Sequence, residues 1–456
     1  MKGRDLRRTF LDFFEKKGHT VLPSSSLVPQ DDPTLLFSNA GMNQFKDYFI
    51  DTRKAPWSKA ATAQKCLRIS GKHNDLENVG VSPRHHTFFE MLGNFSFGDY
   101  FKKDAIEYAW EFVTETLALP KKNLWVTIFE EDEEAKELWG KLTDVPKDRI
   151  LKMGAKDCFW TMGDTGPCGP CSEIHYYIGP DDEPQSEAEF RKDDGTYVEI
   201  WNLVFMQFNL AADGSMVPLS APCIDTGMGF ERIASIMQGK KATYDTDLLR
   251  PIISVCEKLS DFTYDGTSYE EKNLKEDKAY ARDVAMRVIA DHSRSIAFML
   301  ADGVHPGSEG RGYVLRRLIR RAIRHGKVLK FKKPFLSETV KEVISQYHET
   351  YSELREREDF ILKISDAEER KFQETLDAGL SLLEKEIKGL KPGTQLSGKT
   401  AFTLHDTYGF PLDLTQDALK AYNLEVNIGE FDAAMKEQKN RSREDRKTQN
   451  ISYTGL

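Results

Sequence analysis

Asp225, Glu231 and Arg232 fall within nine residues, in Asp-Thr-Gly-Met-Gly-Phe-Glu-Arg-Ile at 225–233. Two glycines one residue apart suggest a backbone that comes close to a phosphate. A dinucleotide fingerprint needs a third glycine between a strand and a helix of a parallel unit. None follows here, and the lysine of a phosphate loop is absent too. What remains is a tight glycine turn feeding a helix whose first turn holds Arg232. A helix N-terminus favours anions, and an arginine adds a rigid fork of donors for phosphate oxygens.

Three other stretches carry chemistry. Residues 166–175, GPCGPCSEIH, combine Cys-x-x-Cys with a histidine four residues on. Structural zinc sites want four ligands, and Cys158 and Cys223 are the obvious further donors. Such dense glycine and proline also suit a rigid loop that lines a site. Both readings stay open. Residues 66–80 gather Arg68, Lys72, His73, Asn74, Asp75 and Glu77, and Arg84, His85 and His86 follow before an aromatic run. This pattern reads as a hairpin whose loop contacts a charged ligand, or as a surface loop backed by a buried aromatic strand. Finally, residues 311–327 place Arg311, Arg316, Arg317, Arg320, Arg321, Arg324 and Lys327 opposite an apolar stripe. Uncompensated like charges at i,i+4 destabilise a helix. Such a face suits a polyanion such as nucleic acid, or it is solvated or paired internally.

The elements that must position these groups are legible from periodicity. Leu6, Phe10, Phe13 and Phe14 share one helical face that Gly18 ends, and residues 104–117 form a second helix. Residues 124–130 read as a strand, and 197–210 as one long strand or two. Strands without regular helix alternation fit a mostly antiparallel sheet with helices on it, an α+β arrangement. The composition changes near residue 245, and residues 246–456 read as mainly helical. Residues 353–390 show a stripe of Phe360, Ile364, Phe372, Leu376, Leu380 and Leu383. A break near 391–400 starts another small unit.

The 456 residues carry a net charge of −9, and six cysteines in this length do not suggest a disulfide scaffold. No apolar run is long enough to span a membrane and the N-terminus lacks a signal-peptide core, so a cytoplasmic location is expected. The polar end of the chain reads as the end of an N-terminal piece of something longer.

Taken together, the motifs resemble the alanyl-tRNA synthetase family of class II aminoacyl-tRNA synthetases, most closely in its bacterial form. The carriers are residues 32–46, 71–80, 84–101, 159–176, 199–209, 225–233, 310–317 and 405–415, and the likeness runs from about Leu6 to about residue 440. It implies a catalytic domain over 1–245 with an antiparallel sheet flanked by helices, and a helical acceptor-stem recognition region over 246–456. The implied reaction joins alanine to ATP as alanyl-adenylate, with Mg²⁺, then transfers alanine to the 3′ end of tRNA(Ala). By the same resemblance Arg68 holds the α-phosphate, Lys72 follows it in the loop, and Arg232 takes the γ-phosphate end. Trp160, Asn202, Val204 and Asp225 surround the alanine, with Asp225 on its ammonium, and Glu173 is a further polar contact. Asp406 and Ser308 match positions near a G·U pair of the stem, although the familiar residue at 308 is asparagine. Arg311, Arg316, Arg320 and Arg324 would face the RNA. Zinc belongs to an editing domain beyond this stretch, and the piece is expected to be monomeric.

Overall fold

In the computed structural model, residues 1–29, 32, 35–70, 73–266, 269, 277–420 and 422–438 are described. They divide into two compact units, Met1–Pro251 and Ile252–Leu456. Helix α1, Gly3–Lys16, forms over the N-terminal apolar repeat. Leu6, Phe10, Phe13 and Phe14 are all buried, and Gly18 turns the chain away at φ +82°. Phe10 lies 5.8 Å from the Trp201 ring and 5.3 Å from that of Phe112. Burying each such ring contributes about 1.5–3 kcal/mol. The same face carries Arg7, which closes a buried pair with Glu90 at 2.6 Å.

Nine strands among the described residues build the main sheet of the first unit. They are β1 (Thr20–Val21), β2 (Lys59–Leu67), β3 (Phe88–Phe97), β4 (Leu124–Phe129), β5 (Ile150–Met153), β6 (Phe159–Thr161), β7 (Gly166–Tyr177), β8 (Tyr197–Leu210) and β9 (Met216–Gly229). Their order is β1-β2-β3-β9-β8-β7-β4-β5, with β6 paired to β7. Pairing is antiparallel except at the two edges, where β1 joins β2 and β4 joins β5 in parallel. Residues 197–210 form one strand, bulged near Met206. The hairpin expected from residues 66–101 is present: β2 and β3 pair antiparallel, and Ile69–Ser70 pairs with His73–Asn74 in the segment between them.

Two segments differ from the sequence reading. The stretch GPCGPCSEIH is part of β7, not a loop, and Asp225–Gly229 ends β9 instead of forming a turn. The glycines serve close approach between strands. A Cβ on Gly169 would sit 2.1 Å from the Phe205 carbonyl oxygen, and one on Gly227 would sit 2.8 Å from Met91 Sδ. Helix α2, Phe230–Met237, then starts directly from the strand.

In the second unit, helix α3 (Lys278–Ala301) is buried over most of its length. Helix α4 (Gly310–Val328) carries the arginine row, and α5 (Leu336–Tyr347) and α6 (Glu358–Ile387) complete the core. Beyond residue 390 lie α7 (Gly398–Tyr408), ended by Gly409 at φ +61°, and α8 (Leu412–Lys420). On α6 the expected stripe is rotated: Phe372, Leu376 and Leu383 are buried, but so are Ile361, Ser365 and Glu369, while Phe360, Ile364 and Leu380 are half-buried. The reason is a polar contact that periodicity does not show. The Glu369 carboxylate accepts the backbone N–H groups of Phe335 and Leu336, the latter at 2.7 Å, at the start of α5. Those amides have no partner within their own helix.

Candidate active site

A cavity of about 320 Å³ opens on the face of the main sheet. Arg68, Trp160, Asn202, Val204, Asp225 and Arg232 all line it. Glu173 lines it as well, so the structure brings together seven of the eight residues expected in the first unit. Lys72 lies outside the described residues.

Strand register builds the floor. Cys171 of β7, Val204 of β8 and Asp225 of β9 stand opposite one another in one row. Glu173, Asn202 and Gly227 form the next row, and Thr127 of β4 stands beyond Glu173. Side chains two residues apart on a strand share a face, so both rows point the same way.

Asp225 is 5% exposed. Burial alone pushes its carboxyl up to about 7. Among the described residues no hydrogen bond or ion pair reaches this carboxylate. An acid placed in that way has a large electrostatic deficit that a bound cation removes. Asn202 stands diagonally across from it. The Asn202 Nδ2 donates to Glu173 Oε1 at 3.0 Å, while Asn202 Oδ1 is buried without a hydrogen-bond partner. Burial, then the charge of Glu199, raises the Glu173 carboxyl above its ordinary value, against the opposing pull of His175.

The other end of the cavity is basic. Arg232, in the first turn of α2, donates to Glu199 Oε2 at 2.8 Å and to the Glu199 carbonyl at 3.0 Å. Burial pushes Glu199 up, but Arg232 and His175 outweigh it, and its carboxyl stays below its ordinary value. Arg68 follows directly on β2, donates to the Asn39 carbonyl at 3.1 Å, and lies 5.0 Å over the Phe89 ring. His85 shares this end. Burial, then the nearby Arg232, holds its imidazole below the ordinary range, which favours the neutral form. Glu231 lines the cavity too and accepts the backbone N–H of Glu90, which ties α2 to β3.

Periodicity did not single out Glu199 as a site residue. The available signal is polarity: Glu199 and Asn202 interrupt the apolar run over 197–206. Cys168 and Cys171 are three residues apart on β7 and so face opposite sides of the sheet. Only Cys171 reaches the cavity. Among the described residues no cluster of three or more His, Cys, Asp or Glu could hold a metal ion.

In the second unit, Ser308 is exposed just before α4, and Asp406 is exposed on α7, where it accepts a hydrogen bond from Gln438. The arginine row is turned largely inward. Arg316 faces Glu368 at 3.6 Å. Arg320 donates to the Gly409 carbonyl and stacks 5.2 Å over Phe372. Arg324 pairs with Asp417, which also faces Arg321 at 3.6 Å. Lys327 reaches Asp377 at 2.7 Å. Arg311 is half-buried at the start of the helix. Acids on α6 and α8 stand opposite Arg316, Arg321, Arg324 and Lys327 of this row. Arg316, Arg320 and Arg324, expected to face RNA, each make a contact within the second unit.

A mostly antiparallel sheet whose cavity holds the buried, unpaired Asp225 toward one end and arginines toward the other defines an α+β protein suited to a ligand with a cationic and an anionic end. The chain belongs to the class II (A) tRNA synthetases, whose family model matches residues 5–454. It is similar to the alanine–tRNA ligase of Oleidesulfovibrio alaskensis, at 51% identity over 97% of this chain and 49% of that one. The alanine–tRNA ligase of Cupriavidus necator is 49% identical over 100% of this chain and 52% of its own length. The chain spans about half the length of the curated relatives it matches. No described helix is long and apolar enough to cross a membrane.

Proposed function

We propose that this chain is the aminoacylating part of an alanine–tRNA ligase, with the cavity of the first unit as its adenylation site. The observation that carries this reading is Asp225, a buried carboxylate without a partner in the same cavity as Arg68 and Arg232. In this reading Asp225 receives the ammonium of alanine, Val204 and Trp160 bound its methyl group, and Asn202 completes the polar side. Arg68 and Arg232 receive the phosphates of ATP, with Lys72 as a further candidate.

The alanine carboxylate then attacks the α-phosphorus. A P–O bond forms, the bond to the β-phosphate breaks, and pyrophosphate leaves. Arginine donors stabilise the charge that spreads over phosphate oxygens, and no protein nucleophile is needed. The tRNA 3′-terminal hydroxyl next attacks the activated carbonyl, and AMP leaves. Mg²⁺ commonly binds through one or two carboxylates plus phosphate oxygens. Glu199 fits that pattern, since its carboxyl stays below its ordinary value at the phosphate end. The ion would supply charge neutralisation there.

The second unit would recognise the acceptor stem of tRNA(Ala). Ser308 and Asp406 remain the candidates for the G·U pair because both are exposed, and Arg311 is the candidate from the row. Arg316, Arg320 and Arg324 are assigned to holding α4 in place.

ATP–pyrophosphate exchange measured with each of the twenty amino acids in turn tests the reading. Exchange with alanine above all others is expected. Exchange with serine alone, or with none, would overturn it.

A further inference from the structure

The row Thr127–Glu173–Asn202–Gly227 contains a hydrogen-bond arrangement with a direction. Asn202 is an amide, and its two ends differ in chemistry: Oδ1 only accepts and Nδ2 only donates. Which end faces the cavity decides whether the residue attracts or repels a cation.

Glu173 makes that choice. Its Oε1 takes the Asn202 Nδ2 at 3.0 Å. Its Oε2 is met by His175 Nε2 at 3.1 Å and by Thr127 Oγ1 at 3.4 Å. His175 Nδ1 is buried without a hydrogen-bond partner, which places the ring proton on Nε2, where it is donated to Glu173. With Thr127 and His175 donating to the other oxygen, the Glu173 carboxyl takes the Asn202 amide by its Nδ2 end. Oδ1 is then left buried and unpaired. Diagonal neighbours on paired strands stand about 7 Å apart. A cation seated between Asn202 and Asp225 is therefore within reach of both acceptors.

We propose that Glu173 is a positioning residue for amino-acid recognition. It locks the Asn202 amide so that Oδ1 faces the ammonium that Asp225 receives. The proposal rests on the reading of this cavity as the alanine site. It adds a residue that need not touch the substrate and acts through another. The same lock makes the cavity selective for a ligand with N–H donors at this point, because a flipped amide would point N–H toward the ammonium.

The test uses the whole chain and alanine-dependent ATP–pyrophosphate exchange. Glu173→Leu removes the acceptor with little change of volume. A hydrogen bond to a charged group corresponds to about a tenfold effect or more, so the KM for alanine should rise by about that factor, while the KM for ATP does not follow it. A general loss of structure would change both. Asn202→Asp alone sets two carboxylates against each other and should bind alanine poorly. In the Glu173→Gln background the same Asn202→Asp change meets a donor instead, and its second oxygen again faces the ammonium. The KM for alanine should recover in this double variant.

An unchanged KM in Glu173→Leu overturns the proposal. So does Asn202→Asp performing no better beside Glu173→Gln than alone. Both results leave the alanine reading standing if the unsubstituted chain exchanges with alanine. An unsubstituted chain that does not do so overturns the reading and the proposal together.

Discussion

Replacing Asp225 with asparagine separates what this residue does to the fold from what it does to the ligand. Its carboxyl rises from an ordinary value of 3.8 to about 7, with burial as the cause. At about 1.36 kcal/mol per pH unit, that rise corresponds to about 4 kcal/mol. The sign follows from linkage. Below about pH 4 the group is neutral in the folded and unfolded chains alike, and its environment costs nothing. Between about pH 4 and pH 7 the unfolded chain ionises while the folded one does not, so stability falls. Above about pH 7 the loss is complete. Asp225→Asn removes the ionisation, so it should stabilise the ligand-free protein by up to about 4 kcal/mol at about pH 8 and by almost nothing at about pH 4. Urea unfolding at the two pH values measures this. Alanine should have the opposite preference. It should protect the unsubstituted protein against unfolding and fail to protect the variant. Below about pH 7 the ammonium must also displace a proton, so the KM for alanine should rise about tenfold per pH unit as the pH falls. Equal stability differences at both pH values, or a KM for alanine that is flat through neutrality, would refute the reasoning.

Three further outcomes are expected. Arg232→Ala should lower kcat/KM for ATP by about 3 kcal/mol, roughly 150-fold, in pyrophosphate exchange while the KM for alanine changes little. Asp417→Asn should destabilise the second unit by about 3–5 kcal/mol, because Arg321 and Arg324 lose their counterion. Burial pushes Asp417 up, but Arg324 and Arg321 hold its carboxyl well below the ordinary range. The stability it contributes is therefore present above about pH 4 and lost below it, and the variant should show a weaker acid dependence in urea titrations. Arg324→Ala should lower stability without changing the salt dependence of acceptor-stem binding, whereas loss of a phosphate contact would lower that slope by about 1.

Local pattern carried much of the first unit. Phe10, Phe13 and Phe14 at helical spacing announce α1, and the apolar runs at 124–130 and 197–210 announce their strands. The motif residues Arg68, Trp160, Asn202, Val204, Asp225 and Arg232 were legible as a set through resemblance, and the cavity gathers all of them. Less legible was how they are held. Glycines 169 and 227 looked like turn or loop residues because composition cannot tell a flexible backbone from a crowded one. Their distances to Phe205 and Met91 show crowding.

The chain's own order of residues determined which side chains exist to do chemistry, the period of each element, and the excess of charge on α4. Tertiary structure decided what those charges meet. Arg324 and Arg321 share Asp417, which is distant in sequence, so one-dimensional charge patterning could not reveal the neutralisation. It also decided register. A slip of one residue between β8 and β9 would turn Asp225 to the other face of the sheet relative to Asn202. The acid, the amide and the carboxylate behind it share one face only because three strands pair in this alignment.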